Sequence, residues 1–163
     1  MDGAELGMPE VTLPVVPGME GCHWPFRRVA PEHWPQLLKL LLDGRSIQAS
    51  ETAGWLADFV GGLDDALQIA YTIASGGDHS LAMRGLEEGS LDGVAEALPD
   101  LAAVSDPGME AGRKAILDTV RAATSSTLSE ALEIQAKHSG GFMISEACRH
   151  GIIGTAWKKT VLV

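Results

Sequence analysis

The stretch "MPEVTLPVVPGMEGCHW", Met8 to Trp24, decides how the chain is read. Val11, Leu13, Val15 and Val16 predict a short buried strand, and Pro17-Gly18 predicts the turn that ends it. One carboxylate, Glu10, opens the strand behind Pro9. A carboxylate at the mouth of a buried strand is partly withdrawn from water, a setting in which an acid can exchange protons with a substrate.

On either side the pattern changes. Residues 1–29 read as extended and loop-rich, with Pro9, Pro14, Pro17 and Gly18 limiting regular structure. Beyond Pro31, Trp34, Leu37, Leu38, Leu41 and Leu42 recur at helical spacing, and Gly44 supplies a stop. A helical turn over Ala49–Gly54 then leads to Leu56-Ala57-Asp58-Phe59-Val60, a candidate strand. Asp64 and Asp65 fall in the first turn of a helix carrying Leu63, Ala66, Leu67, Ala70 and Ile73, where acids suit the helix dipole. Gly76-Gly77 ends it.

Residues 76–109, rich in glycine and acids and broken by Pro99 and Pro107, read as a surface insertion with a helix over 91–98. Two stronger helices follow. One covers Glu110–Ala123, with Ile116, Leu117 and Val120 inward. The other starts at Thr127, where Thr127 and Glu130 have capping-box spacing, carries Leu128, Leu132 and Gln135, and ends near Gly140-Gly141. A last helix spans Ser145 to Trp157. There is no internal repeat. The fold class expected is mainly α with a short extended N-terminal segment.

Composition narrows the function. With 45% hydrophobic and 21% charged residues in 163, the chain can bury one ordinary core. A net charge of −10 argues against a nucleic-acid or anionic-lipid surface, though not against a small basic pocket. Cys22 and Cys148, far apart, suit a reducing cytoplasm better than a disulfide scaffold. No apolar run reaches the roughly 20 residues of a membrane span. Cys22, His23, Cys148 and His150 lack the spacing of zinc sites, so no metal is expected.

"LGMPEVTLPVVPGMEG" followed by "LLLDGRSIQASETAGWLADFV" resembles the enoyl-CoA hydratase/isomerase (crotonase) family. The correspondence runs through Pro9-Glu10, Pro17-Gly18, Leu42, Gly44, Ile47, Ala49, Glu51 and Leu56–Val60, and the tail "SEACRHGIIGTAWKK" resembles the family's closing motif. Matches cover 6–60 and about 113–159. Glu20-Gly21 stands where the family has Gly-Gly, Thr52 where it has Ala, and His150 where it has Glu.

The resemblance implies the C-terminal part of the α/β crotonase spiral fold. Residues 1–60 would be the edge of the core, bearing the second catalytic glutamate motif. Residues 61–163 would form a helical oligomerisation region, interrupted by the insertion at 76–109. The family's oxyanion amides and its other catalytic glutamate belong to an N-terminal half not found here. The implied function is therefore that of a C-terminal half or split subunit of an enoyl-CoA hydratase. An isomerase of the same family and a non-catalytic helical assembly module are the alternatives. Glu10 would be the acid/base, with Gly18, Lys158 and Lys159 toward the acyl-CoA substrate and no further cofactor. The Arg27-Arg28 pair offers local positive charge for CoA phosphates, while Glu20 reads as a solvated or paired acid. Implied partners are the N-terminal half and further copies in a trimer-based homo-oligomer, with no nucleic acid and no membrane.

Overall fold

The computed structural model describes residues 3–81, 84–99 and 107–151. It is mainly helical, with one small sheet. Strand β1 (Glu5–Gly7) pairs antiparallel with β2 (Ser46–Gln48), placing Leu6 opposite Ile47. The Glu5 carboxylate accepts bonds from the Ser46 hydroxyl and, at 2.8 Å, from Gln48 Nε2.

Between these strands lies α1 (Trp34–Asp43), whose Leu37, Leu38, Leu41 and Leu42 are buried at the expected spacing. Gly44 ends it at φ 62°, as expected. A Cβ at Gly44 would stand 2.5 Å from Thr12 Cγ2 and 2.9 Å from Val11 Cγ1, so the helix end lies directly against the chain beside Glu10. Arg113 secures the same end, donating from Nε to the Leu42 carbonyl at 2.8 Å and pairing with Asp43 at 2.9 Å.

The strand expected over Val11–Val16 is not formed. Pro9–Thr12 is a 3-10 turn opened by proline, and the Glu10 carbonyl accepts from the amides of both Leu13 and Val15. That pairing folds the chain back on itself, and Pro14 has no amide for a ladder. Val11 and Val16 still reach the core, but Leu13 faces solvent. Leu56–Val60 is not a strand either: the Thr52 carbonyl gathers the amides of Trp55, Leu56 and Ala57 into a turn. The turn expected over Ala49–Gly54 is present as Ala49–Thr52.

Helix α2 (Leu63–Ala74) has Asp64 and Asp65 in its first turn but buries no residue. The segment 84–99 is no surface excursion. Arg84 binds Asp58 and the carbonyls of Trp55 and Leu56, and Val94, in the one-turn helix α3 (Val94–Ala97), is fully buried. The helix expected over 91–98 is thus four residues long. Helix α4 (Pro107–Thr124) starts earlier than expected, with Ile116, Leu117 and Val120 inward. It packs on α5 (Leu128–Met143), which opens with both bonds of the Thr127–Glu130 capping box. Gly140 and Gly141 lie inside α5, since a helix can continue through glycine where its remaining turns are held.

Residues 146–151 begin the expected final helix, whose remainder lies outside the described residues. One core joins Val11, Phe26, Trp34 and the α1 leucines to Val94 and the inward face of α4. Among the described residues no helix is long and apolar enough to cross a membrane.

Candidate functional site

Glu10 sits in a 3-10 turn rather than at a strand mouth, and its surroundings are built by both ends of the chain. Pro9 fixes the entry backbone angle, and Thr12 Oγ1 closes the turn on the Pro9 carbonyl at 2.7 Å. The Glu10 side chain points inward. Its Oε2 is buried and has no hydrogen-bond partner among the described residues. Buried carboxylate oxygens are nearly always bonded, so an open one stands out.

Cys22 lies within reach of that charge. Burial pushes its thiol well above the ordinary value, and negative Glu10 pushes it further. The Cys22 amide donates to Gln135 Oε1 at 3.0 Å, and Gln135 Nε2 donates to the Pro17 carbonyl at 2.8 Å. Ser139 Oγ adds longer bonds, 3.4 Å, to the carbonyls of Val16 and Pro17. Helix α5 therefore holds the loop 16–22 against the Glu10 turn.

Within that loop Met19 and Glu20 adopt φ 47° and 67°, the left-handed region that favours glycine. A Cβ at Gly21 would lie 2.9 Å from Pro17 Cβ. Glu20 acts on other groups than Glu10 does, since its charge raises the basicity of His23 and Arg27. Gly18 lines a small hollow of about 220 Å³ with Glu20 and Gln135, apart from the larger cavities.

An apolar cavity of about 310 Å³ opens beside the turn, walled by Leu6, Met8, Gly21, Leu37, Leu41 and Leu56. Glu10 is not on its wall; Met8, two residues earlier, is. Its size and lining suit a short hydrocarbon chain.

The Arg27-Arg28 pair is committed elsewhere. Arg27 is buried and donates to the carbonyls of Glu87 (3.0 Å), Gly89 (2.5 Å), Ala123 (3.0 Å) and Ser126 (2.7 Å). Arg28 pairs with Asp58 at 3.1 Å and lies over the Trp24 ring. Neither is free for a phosphate, and sequence spacing could not show that a carbonyl cage awaits Arg27. Lys158 and Lys159 lie outside the described residues. Among the described residues no group of three or more metal-ligating side chains gathers.

A second cleft of about 400 Å³ lies across Leu40 from the apolar cavity, with His33, Lys39, Arg45, Glu51 and Trp55 on its walls. Sequence reasoning passed over His33, Lys39, Arg45 and Trp55 and met Glu51 only in the family correspondence, because the 3-10 turn ending at His33, α1, β2 and the turn after β2 bring them together. No family model, curated protein or solved structure matches the chain.

Proposed function

We propose that this chain is the C-terminal part of an acyl-CoA enzyme of the hydratase/isomerase kind, with Glu10 as its acid/base. The observation that carries the reading is the buried, unpartnered Oε2 of Glu10, two residues beyond Met8 on the wall of an apolar cavity. Thioester chemistry of this kind develops an enolate, and a carboxylate then moves a proton to or from carbon.

The glycine positions of the quoted motifs are compatible with the resemblance. Position 20, where the family has glycine and this chain has glutamate, stands at φ 67°. Gly44 and Gly151, both in the quoted motifs, fall where a side chain would collide: a Cβ at 151 would be 1.9 Å from Pro14 Cγ.

Stabilising the enolate calls for oriented backbone amides, which the family draws from its N-terminal half. Several surfaces here are suited to such a partner. The two-stranded sheet has no third strand among the described residues. Leu63, Leu67 and Tyr71 line up along α2 at i, i+4 and i+8, each more than half exposed. We place the assembly in the cytoplasm, with the N-terminal half and further copies as partners.

Hydration of a 2-enoyl-CoA is the reaction we favour. Isomerisation is the second reading, because a single carboxylate can shuttle the proton and Glu20 acts on other groups.

The test is to assay this chain alone and together with a segment supplying the oxyanion amides. Alone it should not hydrate crotonyl-CoA; together they should, and Glu10→Gln should lower kcat by about 10²–10⁴ with little change in KM. Turnover by the chain alone, or a Glu10→Gln enzyme within about threefold of wild type, overturns the reading.

A further inference from the structure

The cleft across Leu40 does not include Glu10. Four features converge there. The first is charge. In a protein of net charge −10, the described arginines 27, 28, 84, 113 and 121 and Lys114 are all engaged by carbonyls or carboxylates. Lys39, Arg45, Lys137 and Arg149 pair with no described residue, and two of them, Lys39 and Arg45, line this cleft. Glu51 shares the wall, so two cations stand against one carboxylate there, a local balance opposite in sign to that of the molecule and one that favours an anion.

The second feature is aromatic. The His33 ring stacks on the Trp55 indole with centroids 5.0 Å apart and planes 29° from parallel. Trp55 is itself positioned by a 2.7 Å bond from Nε1 to the Glu51 carbonyl. The pair is thus a fixed flat wall of the kind on which rings stack.

The third is an unmet polar group: His33 Nδ1 is buried with no hydrogen-bond partner. The fourth is volume. About 400 Å³ is ample for one or two fused rings with an anionic substituent.

We infer that this cleft binds a planar aromatic ring carrying an anionic group, the ring against the His33–Trp55 wall and the anion between Lys39 and Arg45. A nucleoside monophosphate and an aromatic carboxylate share that chemistry. Neither cation helps form the core, so both can be removed without disturbing the fold. The ring and the anion contribute separately, and each can be tested by itself.

The experiment titrates the full chain with 5′-AMP, benzoate, adenosine and inorganic phosphate by calorimetry, following the Trp55 indole resonance in parallel. 5′-AMP or benzoate should bind and shift that resonance, and the tighter of the two identifies the source of the ring. Adenosine and phosphate, each lacking one element, should bind at least 10-fold more weakly. Lys39→Ala/Arg45→Ala should weaken binding at least 10-fold, whereas a control with the same charge change, Lys114→Ala/Lys137→Ala, should leave it within twofold. Trp55→Leu should weaken it comparably, and circular dichroism must show the variant folded; if it is not, Trp55→Phe, which keeps a ring, should bind within about threefold of wild type. Phosphate binding as tightly as 5′-AMP, adenosine binding as tightly as 5′-AMP, equal loss in the control, or no binding of 5′-AMP and benzoate would each overturn the inference.

Discussion

Nη2 of Arg27 donates to the carbonyl of Ala123, 96 residues away, at 3.0 Å. That carbonyl is in the last turn of α4, at the negative end of the helix dipole. Burial lowers the basicity of the guanidinium, and the charges of Glu87 and Glu20 oppose that effect. The guanidinium's direct oxygen contacts are a cage of backbone carbonyls, with the carboxylate charges acting at longer range. Arg27→Met removes the donor to four carbonyls and should cost at least about 3 kcal/mol, read as a lower urea midpoint at unchanged slope. Arg27→Lys should recover only part of the loss, because an ammonium cannot fork toward both sides of the cage.

Glu20 stands in a left-handed conformation that costs a non-glycine residue roughly 1–2 kcal/mol. Replacing it with glycine removes that strain but enlarges the unfolded ensemble. Glu20→Gly should raise stability by about 0.5–1 kcal/mol in chemical denaturation. A loss of stability would mean that the Glu20 carboxylate holds the loop.

Burial lowers the basicity of His23, and the neighbouring Arg27 lowers it further, partly opposed by Glu20. The folded protein thus resists a proton that the unfolded chain accepts near pH 6.5. Above that pH both states are neutral and the protein keeps its full stability. As pH falls below it, stability should decline by up to about 1.4 kcal/mol per unit until the folded form also protonates. His23→Gln should flatten urea midpoints between pH 7.5 and 5.5. Bonds from the Thr127 hydroxyl and amide hold the Glu130 carboxyl below its usual range, so its contribution is lost at lower pH, outside this window.

Cys22 is fully buried, and its thiol is held protonated by burial and by Glu10. A thiol reacts as its thiolate. Cys22 should therefore resist iodoacetamide in the native state at pH 8 and react at an ordinary rate in urea, as peptide mass spectrometry would show. Fast native labelling would mean that the loop 16–22 opens readily.

The uncovered stripe of α2 should report on association. Leu67→Glu together with Tyr71→Glu places charge on two residues that are 59% and 70% exposed, so folding should be unaffected. Light scattering should then show a smaller species than wild type. An unchanged mass would exclude α2 from the assembly.

The helices were legible because their signals are local. The leucines of α1, the paired aspartates of α2 and the Thr127–Glu130 box each lie within a turn or two of the structure they specify. The strands were not legible. Glu5 and Ser46 meet across 41 positions in three-residue elements too short to show a period. Val11 to Val16 misled because apolar alternation fits a strand and a proline-set turn equally well, and the choice rested on where the Glu10 carbonyl found its amides. Glu10 drew notice in the sequence, but the 3-10 turn that carries it did not. The convergence of Lys39, Arg45, His33 and Trp55 was not, because it exists only after three elements have packed.

Gln135 binds one backbone group 113 residues before it and another 118 before it with a single amide. Such sequence separation slows folding, because a long loop must close before either bond forms. During synthesis the Glu10 turn and the loop after it would leave the ribosome well before α5 exists to receive them. The acid would then acquire its buried setting among the last events of folding. A stop codon ahead of Gln135 would leave Glu10 in the chain but without the helix that holds the loop against it.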